Sequence, residues 1–433
     1  MKKRVLTGIN TTGTLHIGNY VGAIRPAIRD SKNPDVQSFF FMADLHALIK
    51  CQDPDRIERS RMQIAATWLA AGLDPERVIF YRQSDIPEIP VLNWLLTCCT
   101  AKGQMNRAHA YKAATDAAVS AGKDPDADVS MGLFCYPILM AADILMFNAN
   151  EVPVGHDQLQ HLEMARDVAT RFNFLYGKPD EPFFTLPQAT GGSDIEVLPG
   201  LDGRKMSKSY NNVIPLFEGG RKALDEAISR IVTDSKLPGE PKDPDSNSLT
   251  VIFDAFATPE ESEAFRNELR NGLGWGEAKK RLADQIDAEI GPMRQKYEAL
   301  MAHPEEIEAI LQKGAANART YASELLEKLR YAVGLRSFKK IETEQPSAKE
   351  EAKKKVQAVF KQYREKDNRF YFKLTFEGKE LFLSDGFDAG REAGQWVGRL
   401  KKDPDSLQQA PVKLLDGVTM TEVLQALKTF AEE

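Results

Sequence analysis

Cysteine is scarce in this chain: four residues in 433, at Cys51, Cys98, Cys99 and Cys135. None stands in a Cys-x-x-Cys or Cys/His spacing, so no zinc site is written into the sequence and no metal-ligand set is expected. The adjacent pair Cys98-Cys99 lies in the apolar stretch Val91–Thr100 and reads as core thiols. Long apolar runs are missing too. No stretch of eighteen or more apolar residues occurs, which excludes a membrane-spanning helix of ordinary length. Met1-Lys2-Lys3-Arg4 is basic, but the Val5-Leu6-Thr7-Gly8 that follows is too short for the core of a signal peptide, so a cytoplasmic location is expected. The net charge of −6 argues against a chain coated indiscriminately in nucleic acid. It leaves room for a nucleic-acid partner met by local basic patches. No internal repeat is present.

The composition is that of an ordinary globular protein, 42% hydrophobic and 28% charged, and its length suits two or three domains. In the first half, Val5–Thr7, Ser38–Met42 and Val78–Tyr81 read as buried strands. Helical periodicity appears at Arg56–Ala71, Val91–Thr100, Met131–Phe147 and Gln158–Phe174. Strand and helix in alternation imply a parallel sheet covered on both faces, with ligands at the carboxyl ends of the strands. From about residue 213 the pattern becomes helical: Arg221–Val232, Glu260–Asn271, Gly276–Ile290 and Pro304–Val333. Thr258-Pro259-Glu260-Glu261 reads as a capping box with proline at the first helical position.

Lys339–Ser347 reads as a linker. Ser347-Ala348-Lys349-Glu350 then predicts a helix with Ala352, Val356, Phe360 and Tyr363 on one face. Phe370–Phe376 alternates and turns through Glu377-Gly378-Lys379 into Glu380–Leu383, a hairpin. Gly390–Leu400 reads as a short helix. The expected fold class is therefore α/β: a Rossmann-type parallel-sheet catalytic domain over residues 1–212, an all-helical domain over 213–335, and a small α+β C-terminal module over 348–433.

Two segments carry chemistry. The first strand runs into Gly8-Ile9-Asn10-Thr11-Thr12-Gly13-Thr14-Leu15-His16-Ile17-Gly18-Asn19. Its glycines allow tight turning and close approach of a ligand, and a helix starting near His16–Asn19 offers free N–H groups to phosphate. No lysine follows Gly13, so this is not a Walker loop, and it is not a Gly-x-Gly-x-x-Gly turn either. By itself it is equally a glycine-rich strand-to-helix turn with His16 as a cap. The second segment is Gly203-Arg204-Lys205-Met206-Ser207-Lys208-Ser209. Two ammonium groups on a loop suit charge that develops on a leaving pyrophosphate. Alone, it is equally a solvated basic loop.

Together, His16-Ile17-Gly18-Asn19 and Lys205-Met206-Ser207-Lys208-Ser209 resemble the two signatures of class I aminoacyl-tRNA synthetases. Tyr136-Pro137-Ile138-Leu139-Met140-Ala141-Ala142-Asp143-Ile144-Leu145, Val152–His161 with Glu163 and Arg166-Asp167, and Ile231-Val232-Thr233-Asp234-Ser235 narrow the resemblance to the tryptophanyl-tRNA synthetase family, over about residues 4–335. The resemblance implies a Rossmann catalytic domain, a helical anticodon-binding domain, ATP with Mg2+ bound through it, a homodimer, and tRNA(Trp) and L-tryptophan as partners. Activation of tryptophan to its adenylate, followed by transfer to the tRNA 3′ end, is the implied reaction. Asn10, Thr11, Thr12, Gly18 and Asn19 would line the ATP, with Gly155, His156 and Asp157 at its ribose and adenine side. The segment Glu196–Leu198, and Val197 within it, would lie under the base. Lys205 and Lys208 would hold the phosphates with Met206, Ser207 and Ser209 between and beside them, and Lys112 would add a cation. His16, Lys205 and Lys208 would be the catalytic residues. Asp143 would accept the indole N–H, with Tyr136, Met140, His46, Gln158, Val152 and Val154 around the ring.

A carboxylate on an apolar helix is costly unless something pairs with it. An indole donor would do so and would select against phenylalanine; a helix-to-helix hydrogen bond would do so equally. The chain departs from the family where the usual Gln-Pro is Asn10-Thr11 and where the usual Glu is His156. Tyrosyl-tRNA synthetase, a small-molecule nucleotidylyltransferase and a synthetase-like binding protein without catalysis are the rival readings. In the C-terminal module, Lys349, Lys353, Lys354, Lys355, Lys361, Arg364 and Lys366 make the first predicted helix basic, either as a solvated face or as a contact with tRNA.

Overall fold

The computed structural model describes residues 2–11, 13–155, 158–190, 197–338 and 358–430. They form two compact units, Met1–Arg336 and Ser337–Glu433. Five short strands organise the first: β1 (Lys3–Ile9), β2 (Val36–Met42), β3 (Ile79–Arg82), β4 (Glu151–Pro153) and β5 (Gln188–Thr190). Their order is β3-β2-β1-β4-β5 and every pair is parallel. The chain winds outward from β1 to one side, then returns to its other side. The crevice for a ligand therefore opens at the carboxyl ends of β1 and β4, where the order reverses.

Alternation along the strands sends successive side chains to opposite faces. Phe39, Phe41 and Tyr81 enter one core with the helices Glu88–Cys99, Met131–Met146 and Leu159–Tyr176. Phe40, Met42 and Phe80 enter the other, with the helix Pro54–Ala70 and the helical region beyond β5. That region comprises Gly220–Ser229, Ser248–Asp254, Pro259–Arg270, Trp275–Ala302 and Pro304–Ala332. The predicted capping box is present: Glu261 N–H donates to the Thr258 hydroxyl at 3.3 Å, and Thr258 N–H donates to the Glu261 carboxylate at 2.8 Å.

The last helix of this unit belongs to both cores. Ile307 and Leu311 pack in the second, whereas Ala315, Ala318, Ala322, Leu326 and Leu329 pack in the first. Between them, Gly314 lies so close to β3 that a Cβ there would come within 1.7 Å of the Phe80 carbonyl oxygen. The three strands expected from the sequence are found, the first two with longer limits and the third shifted by one residue. β4 and β5 were not foreseen, because three residues are too few to display an alternation.

The second unit holds an antiparallel sheet, β6 (Val359–Arg364), β7 (Phe370–Phe376), β8 (Lys379–Ser384) and β9 (Val412–Leu414), in the order β6-β7-β8-β9. The helices Gly390–Lys402 and Met420–Lys428 complete it. Phe372, Leu374, Phe382, Ala393, Leu400, Val423 and Leu427 form its core. The hairpin and the short helix match expectation. The helix expected to carry Phe360 and Tyr363 does not: both lie in β6, and Ala352 and Val356 lie outside the described residues. On a helix these aromatics, three apart, would share a face, whereas on a strand they part. Phe360 reaches the core beside Phe372 and Phe382, and Tyr363 faces away. Strand pairing with β7 and burial of Phe360 override the helical pattern.

Gly314→Ala is expected to destabilise the first unit by about 1–3 kcal/mol, because the added methyl forces the helix off β3. Thermal unfolding of the variant checks this; an unchanged midpoint contradicts the close crossing.

Candidate active site

The turn after β1 is pinned from the far side of the chain. Ile17 N–H donates to the Ile214 carbonyl at 3.0 Å and Leu216 N–H to the Leu15 carbonyl at 3.3 Å, with His16 opposite Pro215 in an antiparallel bridge. His16 N–H donates to the Asn19 side chain at 3.1 Å. The helix expected here is a three-residue piece, Ile17–Asn19, that passes into a π-helical turn, Tyr20–Ile24. Two of the N–H groups expected to be free for phosphate are thus already used. What the turn presents instead is Gly13, at φ 75°, and Gly18. A Cβ on Gly18 would lie 3.1 Å from His16 Nδ1 and 3.4 Å from Met206 Sδ. A Cβ on Gly13 would lie 3.0 Å from the Lys208 ammonium. The glycines let the lysine loop settle against the first turn, so the two segments singled out in the sequence meet.

His16 is buried, and its Nδ1 has no hydrogen-bond partner among the described residues. Burial, with the Lys208 charge behind it, pushes its pKa down from 6.5 to about 4. The imidazole is therefore neutral at physiological pH and acts as a dipolar N–H rather than as a cation. Burial and the Arg56 charge also hold Lys208 below the usual lysine range.

Asn212 shapes the lysine loop. It is buried, and its amide nitrogen donates to Asp202 at 2.6 Å and to the Lys205 carbonyl at 3.2 Å. Its amide oxygen accepts Ser207 N–H at 2.8 Å, and its carbonyl accepts Leu201 N–H at 2.9 Å. Gly200 makes room: a Cβ there would fall 2.4 Å from the Asn212 amide. Met206 is buried and donates its N–H to the Leu198 carbonyl at 3.0 Å. Lys205, on one side, is exposed; Lys208, on the other, reaches solvent along its side chain but is partly desolvated where its ammonium lies close to Gly13.

Asp143 lies at the carboxyl ends of β2 and β3. It is fully buried, and burial raises its pKa. Gln83, just beyond β3, donates to both carboxylate oxygens at 2.8 and 2.9 Å. His46 Nε2, beyond β2, hydrogen-bonds Oδ2 at 3.0 Å. Three of about four acceptor positions are filled, leaving one on Oδ1. Tyr136 and Met140, seven and three residues before Asp143, share its side of the helix at half-buried positions. The Tyr136 ring stands edge-on to His46 with centroids 6.2 Å apart, and its hydroxyl lies 2.6 Å from His161 Nε2. His161 Nδ1 lies 2.9 Å from Gln158 Oε1, an oxygen that only accepts. His161 thus bridges the Tyr136 hydroxyl and the Gln158 side chain.

The structure thus brings His46, Tyr136, Asp143 and Gln158 into one polar network, with Met140 beside it. Val152 and Val154, at the end of β4, are buried, and Gly155 follows them. Asn10 is exposed at the end of β1. Thr11 is buried, and its hydroxyl donates to the Ala43 carbonyl at 3.3 Å, joining the turns after β1 and β2. Ser209 N–H donates to the Ser207 hydroxyl at 3.3 Å, Val197 is exposed, and Lys112 is exposed on the helix His109–Ser120. Thr12, His156, Asp157 and Glu196 lie outside the described residues. Sequence reasoning passed over Gln83, Asn212 and His161. Asn212 offered one signal, its place three residues after Ser209; Gln83 offered none, since only the fold sets it under Asp143.

Residues 1–312 match the family described as tRNA synthetases class I (W and Y). Tryptophan–tRNA ligase of Pseudomonas putida is 58% identical over 395 residues, 91% of this chain and 87% of that protein. This chain belongs to the tryptophan–tRNA ligase family of class I synthetases. The Bordetella parapertussis tryptophan–tRNA ligase is 56% identical over 96% of this chain and 90% of its own, which takes the likeness into the C-terminal unit. Among solved structures, tryptophanyl-tRNA synthetase from Campylobacter jejuni, complexed with ADP and tryptophan, aligns with a TM-score of 0.70 at 38% identity. That alignment covers 76% of this chain and 99% of the Campylobacter chain.

Asn212→Ala removes the partner of the Ser207 N–H and the donor to the Lys205 carbonyl, while Asp202 keeps Arg204, a loss of about 1–3 kcal/mol to the loop. Limited trypsin digestion should then cut after Arg204, Lys205 or Lys208 at least about fivefold faster, as an opening equilibrium shifted by about 1 kcal/mol dictates. Unchanged cutting contradicts the latch. The His16 shift has a second consequence. An imidazole depressed from 6.5 to about 4 in the fold contributes stability that is fully present above pH 6.5 and is lost as the pH falls through that window. His16→Asn should therefore lose less stability than the parent between those limits, measured by denaturant unfolding at a series of pH values.

Proposed function

We propose that this chain activates L-tryptophan with ATP and transfers it to the 3′ end of tRNA(Trp), in the service of protein biosynthesis. The observation that carries the reading is the contact of the lysine loop with the turn after β1, beside a polar pocket centred on Asp143. The tryptophan carboxylate attacks the α-phosphate of ATP. The bond to the β-phosphate breaks and pyrophosphate leaves; a terminal ribose hydroxyl of the tRNA then attacks the carbonyl of the adenylate, the bond to the phosphate breaks, and AMP leaves with the hydroxyl proton lost to solvent. No protein nucleophile is needed; catalysis rests on positioning and on charge stabilisation. Lys205 and Lys208 hold the phosphates and His16 donates from its neutral ring. Asn10, Thr11, Gly18, Asn19 and Gly155, together with Thr12, His156 and Asp157, line the nucleotide. Mg2+ arrives bound to the ATP phosphates.

Asp143 accepts the indole N–H at its remaining Oδ1 position, with His46, Tyr136, Met140, Gln158, Val152 and Val154 around the ring. Phenylalanine in that place would leave a buried acceptor unmatched. Residues 213–335 serve as the anticodon-binding part. Val91 and Trp94 on one helix and Phe174 and Leu175 on another are exposed apolar side chains, the kind of surface that a homodimer covers. Among the described residues no helix is long and apolar enough to cross a membrane, and a cytoplasmic location fits the reaction.

Tryptophan, and not tyrosine, should drive ATP–pyrophosphate exchange; tyrosine-dependent exchange would replace this reading with that of a tyrosyl enzyme. Lys205→Ala combined with Lys208→Ala should slow exchange by on the order of a hundredfold while tryptophan binding holds. Unchanged exchange in that double variant refutes the assignment of the loop.

A further inference from the structure

Among the described residues, the C-terminal sheet has its helices on one face only. Phe360, Phe372, Leu374 and Phe382 point to the core with the two helices. The opposite face is set by the register. Lys361 pairs with Lys373, Lys373 with Leu383, and Leu383 with Lys413, so these four side chains form one row across all four strands. Directly paired strand residues project from the same side. Two residues along, Tyr363 pairs with Tyr371, and their rings stack with centroids 6.0 Å apart and planes inclined at 23°. Neither ring belongs to the core cluster, and both are half-buried. Lys373 lies over the Tyr363 ring, 5.8 Å from its centroid, and pairs with Glu380. Lys361 and Lys413 are exposed and have no carboxylate partner among the described residues.

Like charges directly opposite each other on a sheet are destabilising. Glu380 offsets Lys373, but two cations on the row remain unmatched. A polyanion would relieve them. Paired aromatic rings beside lysines suit a partner that carries both phosphates and flat bases, whereas an acidic protein surface would use the charges and leave the rings idle. Unpaired bases stack on such rings regardless of sequence.

We propose that this face of the C-terminal unit, Lys361, Lys413, Tyr363 and Tyr371, binds an unpaired segment of the tRNA. The inference rests on the tRNA-charging function above and adds a contact beyond residues 1–312, the part that matches the family model. Lysines hold phosphates and the tyrosines stack bases, so the contact is tolerant of sequence and supplies affinity rather than identity.

The test uses the full-length protein and a tRNA(Trp) transcript. Binding is measured over a range of salt concentrations, alongside tryptophan-dependent exchange without tRNA. Lys361→Gln combined with Lys413→Gln should weaken binding and flatten the salt dependence by about 1.4 in log–log slope, two phosphate contacts at about 0.7 each for a single strand. Tyr363→Ala should weaken binding about fivefold or more, and Tyr363→Phe should restore it, since stacking needs only the ring. Exchange should stay at the parent level in all three variants. Unchanged affinity and slope in the lysine and alanine variants overturn the proposal. A fall in exchange that accompanies the loss of binding also overturns it, because the face would then be docking on the synthetase rather than on RNA. If the parent protein itself charges no tRNA, the function proposed above fails, and that result is distinct from either of these.

Discussion

Two backbone hydrogen bonds, Ile17 to Ile214 and Leu216 to Leu15, set the geometry on which the rest of the site depends. They make a strip of antiparallel pairing between segments far apart in sequence, one leaving the first strand and the other leaving the lysine loop. Because the loop is anchored at its far end, Lys208 is delivered over Gly13 and Met206 is buried beside Gly18. Its other end is held by Leu198 and its bend by Asn212. Lys205 is exposed, and the Lys208 ammonium is set close to Gly13. Charged groups on rigid supports suit a step in which the charge to be held appears only late.

The second polar centre follows a different rule. Asp143 is buried in an apolar helix, where an unpaired carboxylate would cost several kcal/mol. Donors from two separate strand ends meet it, His46 after β2 and Gln83 after β3, and Gln83 is itself fixed by accepting Leu45 N–H at 3.1 Å. The pocket floor is thus assembled from three pieces of chain, and none of them can shift without unpairing another. On the reading proposed above, such a floor would discriminate by the penalty it imposes on a wrong guest.

The α/β rhythm, the helical tract, the hairpin and the Thr258 capping box were legible because each repeats a period or carries a local signature. The two marker segments were legible as motifs. Other features were not, for physical reasons. Strands of three residues have no period to show. The partners of Asp143 are chosen by topology rather than by spacing, so Gln83 is invisible until β2 and β3 lie side by side. Phe360 and Tyr363 satisfied a helical pattern that strand pairing overruled. At His16 the sequence suggested a phosphate-ready helix start, but the Ile214 carbonyl had already claimed one of its N–H groups.

The helix Pro304–Ala332 joins both cores and crosses β3 at Gly314. β3 is the outermost strand of the sheet on that side, and an outermost strand exposes unsatisfied backbone groups that invite another chain to pair. With a helix pressed on its backbone, that template is blocked. The same helix therefore guards this edge against strand-to-strand pairing with another chain. A nick or truncation upstream of Gly314 would uncover an adhesive edge as well as weaken two cores, and the damaged chains would be prone to clump before they unfolded completely.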